Sequence, residues 1–204
     1  MNKIVLAGTV VDEPTFSHDV YGEKFYHLCL SSSRESGTCD VLPCIISEIL
    51  KKDIEAGTEI KVLGEIRTRN VYENNKSHLE ITVFVKNIFP YEEDENYVEV
   101  DGFLCKQPIY RETPLGRHIT DLLIANNRAY GKSDYIPTIA WGRMAIKSSE
   151  LDVGTKVKVF GRLQSREYTK MFEDGTTEVR TAYELSANRV DVVEESEVPD
   201  GNNN

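Results

Sequence analysis

No run of about 18 apolar residues occurs in the 204-residue chain, which argues against a transmembrane helix of ordinary length. The apolar part of Met1-Asn2-Lys3-Ile4-Val5-Leu6-Ala7-Gly8 is too short for a secretory leader and runs into Asp12-Glu13. A cytoplasmic protein with no membrane attachment is the expectation. Histidine is scarce, and His18, His27, His78 and His118 stand far apart. Cys29, Cys39, Cys44 and Cys105 form no C-x-x-C pair and have no histidine at zinc-finger spacing. They read as buried free thiols of a reducing compartment, so neither metal nor cofactor is expected. Asn75-Lys76-Ser77 has the form of a glycosylation sequon but reads as part of a turn. Metal-assisted hydrolysis needs clustered carboxylates and a general base, whereas Asp121 and Asp134 are isolated, so the chain does not read as an enzyme. Positive charge is also short. With 24 Lys+Arg against 34 Asp+Glu, the formal charge is −10, which at face value argues against a polyanionic partner.

What is present is a core and a repeat. Apolar residues make up 40%, enough for one large domain or two small ones. Shifted by 94, the first half falls on the second: Asn2 on Asn96, Gly8 on Gly102, Pro14 on Pro108, Gly22 on Gly116, Arg34 on Arg128, Asp40 on Asp134 and Pro43 on Pro137. After Ile46 the second copy carries three extra residues, and the shift becomes 97: Gly57 on Gly154, Gly64 on Gly161, Arg69 on Arg166. A longer hairpin in the second copy then moves Glu80 onto Glu184. Two copies of one small domain account for this register. The expected boundaries are 1–91, an acidic linker 92–95, a second domain 96–193 and a disordered acidic, Asn-rich tail 194–204.

Each copy reads as all-β. Ile4, Leu6 and Val10 alternate around Gly8; Ile60, Val62 and Ile66 around Gly64; Val157, Val159 and Leu163 around Gly161. Period two marks half-buried strands, and a glycine inside such a run marks a bulge or a sharp coil. Short helices are expected near Ile46–Glu55 and Gly142–Leu151, between the third and fourth strands. Five strands with one helix after the third is the order of an OB-fold, a Greek-key barrel, or of another small barrel.

Three segments of the second half carry a pattern together: Leu123-Ile124-Ala125-Asn126-Asn127-Arg128-Ala129-Tyr130, then Asp134-Tyr135 running to Trp141, then Gly161-Arg162-Leu163-Gln164-Ser165-Arg166-Glu167-Tyr168. In order and spacing the run resembles the bacterial single-stranded DNA-binding protein family over about residues 97–192. The resemblance implies tandem OB-folds and sequence-tolerant binding of single-stranded DNA, in replication, recombination or repair. At the matching positions, Tyr130, Tyr135, Trp141 and Tyr168 would stack on bases. Every base has a π-face, so each stack is worth about 1–3 kcal/mol whatever the sequence. Arg128, Lys132, Arg143, Lys156, Lys158, Arg162, Arg166 and Arg180 are interleaved with them and are the candidate phosphate contacts. An aromatic on an alternating strand is commonly core, and an arginine cluster is commonly a solvated face. Their coincidence is what favours a binding surface.

In the first copy that surface is gone. Tyr130 maps to Ser36, Tyr135 to Val41, Trp141 to Ser47 and Tyr168 to Val71; Lys156 and Arg162 map to Glu59 and Glu65. The first barrel therefore reads as degenerate in DNA binding and suited to oligomerisation or partner contact. The family commonly assembles four OB-folds, so the resemblance implies a homodimer, association with the bacterial nucleoid, and replication or repair proteins as partners. A rival reading is a primosome-type accessory OB protein that acts mostly through protein contacts. The family's terminal Pro-Phe is absent from the acidic end, which leaves recruitment through that tip without its aromatic. Divided by segment, the charge is −3 over 1–91, −4 over 92–95, +1 over 96–193 and −4 over 194–204. The acidity lies mostly outside the domain that carries the aromatics.

Overall fold

The computed structural model describes residues 1–73, 76–172 and 174–194. The expected disordered tail from 195 onward, Asn75 of the sequon and Glu173 of the second hairpin lie outside the described residues.

The first half folds as β1 (Asn2–Val10), β2 (Thr15–Val20), β3 (Glu23–Ser33), β4 (Cys39–Ser47), β5 (Glu59–Glu73) and β6 (Lys76–Phe89). The second half repeats it as β7 (Glu95–Leu104), β8 (Ile109–Glu112), β9 (His118–Asn127), β10 (Ser133–Trp141), α1 (Arg143–Ser149), β11 (Lys156–Met171) and β12 (Thr177–Val192). In space the strands run β2-β3-β4-β6-β5-β1-β7-β11-β12-β10-β9-β8, and the extra pairings β3–β1 and β7–β9 close each half into a barrel. The five strands expected per copy are thus β1, β3, β4, β5 and β6, and β7, β9, β10, β11 and β12. β2 and β8 are short additions at the two ends of the sheet. This is the tandem OB-fold architecture, all-β apart from α1 and one short 3-10 turn.

Closure depends on tight glycines. A Cβ at Gly8 would run into the Ser31 carbonyl oxygen, and one at Gly161 into that of Ser186. The ladder shifts register at Leu63/Gly64 and at Phe160/Gly161, as the glycines inside the alternating runs foretell. Inside, Leu30, Leu42, Ile46, Ile66 and Ile4 of the first barrel, and Leu104, Ile124, Ile136, Leu163 and Leu185 of the second, are almost fully buried. Each such side chain contributes about 1.5–3 kcal/mol.

Three expectations need correction. The first copy has no helix at Ile46–Glu55: Ile46 is still in β4, and a single turn closed by Lys51 N–H on the Ser47 carbonyl ends at Asp53, whose φ is +61°. Eleven residues join β4 to β5, against fourteen from β10 to β11, so only the second connection has room for α1. The hairpin register also differs. Ile66 faces Val83 and Leu163 faces Leu185, so Glu184 corresponds to Thr82 and not to Glu80. Of the cysteines, all free, only Cys44 is buried; Cys39 is exposed and the other two are half-buried.

The two barrels are joined by more than a linker. β1 and β7 pair antiparallel, with Asn2 opposite Val100, Ile4 opposite Val98 and Leu6 opposite Asn96. Ile4 and Val98 are equivalent residues of the two copies, so the seam is a pseudo-two-fold axis between them. β7 begins at Glu95, within the acidic segment, and Asp94 accepts the Ser33 N–H at 2.8 Å, which pins that segment to the first barrel.

Candidate nucleic-acid interface

Two buried aspartates lock the seam in the same way. Asp134, 0% exposed, accepts the Thr68 N–H across the barrels at 2.6 Å, and the Thr68 hydroxyl in turn accepts the Tyr135 N–H at 2.8 Å. Asp40, 1% exposed, accepts the Ser165 N–H at 2.8 Å, and the Ser165 hydroxyl accepts the Val41 N–H at 3.2 Å. Arg128 balances the first carboxylate, with Nε 2.9 Å from Oδ2, and Arg34 forks onto the second. Asp134 has a further cation, Arg67, at 3.4 Å. Burial holds the Asp134 carboxyl above its ordinary value, against the Thr68 N–H and the charges of Arg128 and Arg67, which pull it down.

Beside each lock lies an open groove. The groove of the second barrel, about 590 Å³, is lined by Trp141 together with Arg34, Arg111, Arg117, Arg162 and Arg166. Its floor follows from strand parity. Arg162, Gln164 and Arg166 lie on the face of β11 opposite buried Leu163 and line the groove, Gln164 buried in its floor against Glu184; Ile139 and Arg162 both lie opposite Ser186. Trp141 is anchored edge-on, Nε1 donating to the Ser186 hydroxyl at 3.1 Å, and is 37% exposed. An anchored indole among guanidinium groups offers a stacking plate with phosphate donors around it.

The groove of the first barrel, about 520 Å³, is lined by Arg67, Arg69, Arg128 and Lys132, with Phe84, His18 and His27. Its cations are mostly spoken for: Arg67 pairs with Glu65 and Asp134, Arg69 with Glu80, and Arg128 with Asp134.

All four candidate aromatics lie outside the core. Tyr130, 99% exposed, tips the β9–β10 turn at φ +64°, a conformation uncommon for a non-glycine residue. Tyr135 is partly exposed at the seam, on the same face of β10 as Trp141. Tyr168 is partly exposed on the β11–β12 hairpin, opposite Arg180 and 5.9 Å from the Arg166 guanidinium. The candidate cations divide into groups. Arg162 and Arg166 share the groove of Trp141, and Arg143 stands exposed at the start of α1 just after it. Arg180 pairs with Glu178 on the hairpin. Arg128 and Lys132 belong to the other groove. Lys156 and Lys158 line neither groove: Lys156 lies over Phe103, Lys158 pairs with Glu99 at 2.6 Å, and the Met1 amine is held below its ordinary value first by burial and then by these two lysines. Arg34, Arg111 and Arg117 are groove residues that sequence reasoning missed. Arg111 lies in β8 and Arg117 just before β9, both outside any motif, and Arg34 arrives from the other barrel.

Residues 95–193 match the family model described as the single-strand binding protein family. The second barrel belongs to that family. The matched residues include all four candidate aromatics and the groove residues Arg111, Arg117, Arg162 and Arg166, but not Arg34. The whole chain is similar in fold to the single-stranded DNA binding protein from Thermus aquaticus. Against a crystal structure of a deletion mutant the TM-score is 0.75 at 24% identity, covering 98% of each chain. Against the wild-type protein it is 0.73 at 24% identity, covering 96% of this chain and 94% of that one. A dimeric N-terminal domain of PriB protein from Thermoanaerobacter tencongensis aligns with 38% identity over 45% of this chain and 98% of that one, with a TM-score of 0.39. A comparison with curated proteins finds no match. Among the described residues, no helix is long and apolar enough to cross a membrane.

Proposed function

We propose that the chain binds single-stranded DNA without strong sequence preference, mainly through the second barrel, and coats and protects it during replication, recombination or repair. The observation that carries this reading is the anchored, accessible Trp141 in a groove lined by five arginines, four of them within the family-matched barrel. Bases stack on the indole and on Tyr168 and Tyr130, while Arg162, Arg166 and Arg143 take phosphates. Sequence tolerance follows because neither contact reads a base edge.

Trp141 is the single tryptophan, so its emission reports the site directly. Titration with poly-dT is expected to quench it strongly, and less so as salt rises, because phosphate binding releases counterions. Unchanged emission at saturation rejects the Trp141 assignment; absence of binding rejects the function. The first barrel, whose groove cations are largely neutralised by Glu65, Glu80 and Asp134, is suited instead to assembly or partner contact. β2 and β8 are end strands of the sheet, paired on one side only among the described residues, and a strand so placed is open to pairing with another chain. A homodimer of four barrels uses such edges, and a mass by light scattering of one chain instead of two rejects it.

A further inference from the structure

Arg34 follows β3 in the first barrel, yet it lines the groove of the second. Its Nε donates to Asp40 Oδ2 at 2.7 Å, its Nη2 reaches Asp40 Oδ1, and Nη2 also lies 3.4 Å from the Ser165 carbonyl oxygen on β11. The fork on Asp40 holds the guanidinium in one orientation, so little side-chain freedom remains to be lost when a ligand arrives. Arg162 sits beside it. Burial first, and then the positive charge of Arg34, holds the Arg162 guanidinium below the ordinary arginine value, with Asp40 opposing. Two guanidiniums thus crowd one wall of the groove. The carboxylate nearest them already accepts the Ser165 N–H as well as the Arg34 fork. An anion entering there relieves like-charge repulsion and gains charge-assisted hydrogen bonds.

We propose, on the footing that the second groove binds single strands, that Arg34 is a phosphate-contacting residue of that groove, contributed across the seam by the first barrel. Single-strand binding by the second barrel then draws on the first, which lacks the second's candidate aromatics. The pseudo-symmetric residue, Arg128, reaches into the first groove in the same way, but there its aspartate is shared with Arg67.

Replacing Arg34 alone leaves Asp40 buried without its counter-charge, which mixes binding with stability. The discriminating pair is therefore Asp40→Asn and the double variant Arg34→Gln/Asp40→Asn. Both lack the ion pair, and they differ only in the guanidinium. Oligo-dT titrations followed by Trp141 emission at a series of salt concentrations are expected to show the double variant binding several-fold more weakly than Asp40→Asn. Its salt dependence, as log K against log[salt], is expected to be shallower by about 0.7, one phosphate contact on a single strand. Equal affinities and equal slopes overturn the role of Arg34 while leaving the groove reading intact; absence of binding by the unaltered chain overturns both. Should either variant fail to fold, phenylglyoxal modification of the unaltered chain decides. Oligo-dT is expected to protect Arg34 together with Arg162 and Arg166, and modification of Arg34 at an undiminished rate overturns the proposal.

Discussion

The two grooves are built on the same strands and differ in what neutralises their arginines. In the first, Glu65 and Glu80 come from the groove's own hairpin and pair with Arg67 and Arg69. In the second, the position of Glu65 is Arg162, and the position of Ser47 is Trp141. Glu184 remains, but it accepts from Gln164 at 2.9 Å and stands 3.7 Å from Arg166. Arg34 pairs with Asp40 and Arg111 with Asp121, so the grooves differ chiefly by one exchange of charge sign, Glu65 for Arg162, and one of size, Ser47 for Trp141. Conserved backbone geometry is therefore a poor guide to binding: the barrel is the frame, and the outward-facing residues of β10 and β11 decide what it holds.

The largest effect that tests this comparison concerns the locks. Asp134 balances Arg67 and Arg128, whereas Asp40 balances Arg34 alone. Asp134→Ala is expected to cost about 3–5 kcal/mol in urea unfolding, more than Asp40→Ala, because Arg128 loses its carboxylate and Arg67 keeps only Glu65. Equal costs would show the two locks to be equivalent. Next in size, Trp141→Ala is expected to weaken oligo-dT binding by about 2 kcal/mol, roughly thirtyfold by fluorescence anisotropy of labelled DNA, while Arg69→Ala shifts it less than about twofold. Equal losses would erase the distinction between the grooves. Tyr168→Ala is expected to cost about 1 kcal/mol of binding, with its counterpart substitution Val71→Ala neutral.

The smallest effect is on pH. Because burial raises the Asp134 carboxyl above 3.8, the folded chain binds that proton more tightly than the unfolded one. The contribution of this group is then most favourable at low pH and declines as pH rises from about 3.8 through the raised value. Asp134→Asn is expected to remove that decline from the stability profile; an unchanged profile would place the titration elsewhere.

Alternation around Gly8, Gly64 and Gly161 made the barrels legible, because a strand that coils tightly admits no Cβ where it crosses a carbonyl. Trp141, Arg162 and Arg166 could be named as candidates because they fall in segments that resemble one family, and on β11 parity puts Arg162 and Arg166 on the same face. Arg34 was not, since nothing local indicates that a turn of one barrel reaches the wall of the other. The missing helix of the first copy was hidden by the apolar residues of Glu48–Asp53, which suit a turn as well as a helix; only the three-residue difference in length separates them. Lys156 and Lys158 were grouped with the site because they are interleaved with its aromatics in sequence, but β11 is 16 residues long and its two ends serve different neighbours.

Ile4 facing Val98 across β1 and β7 has a consequence for how such a molecule diverges. In an assembly of two identical chains, any substitution appears twice, and a change that favours one site is imposed on the other. Joining the copies in one polypeptide lifts that constraint while the strand pairing holds their relative positions. Glu65 and Arg162 then occupy equivalent places with opposite charge, a division of labour that a symmetric pair of chains cannot encode.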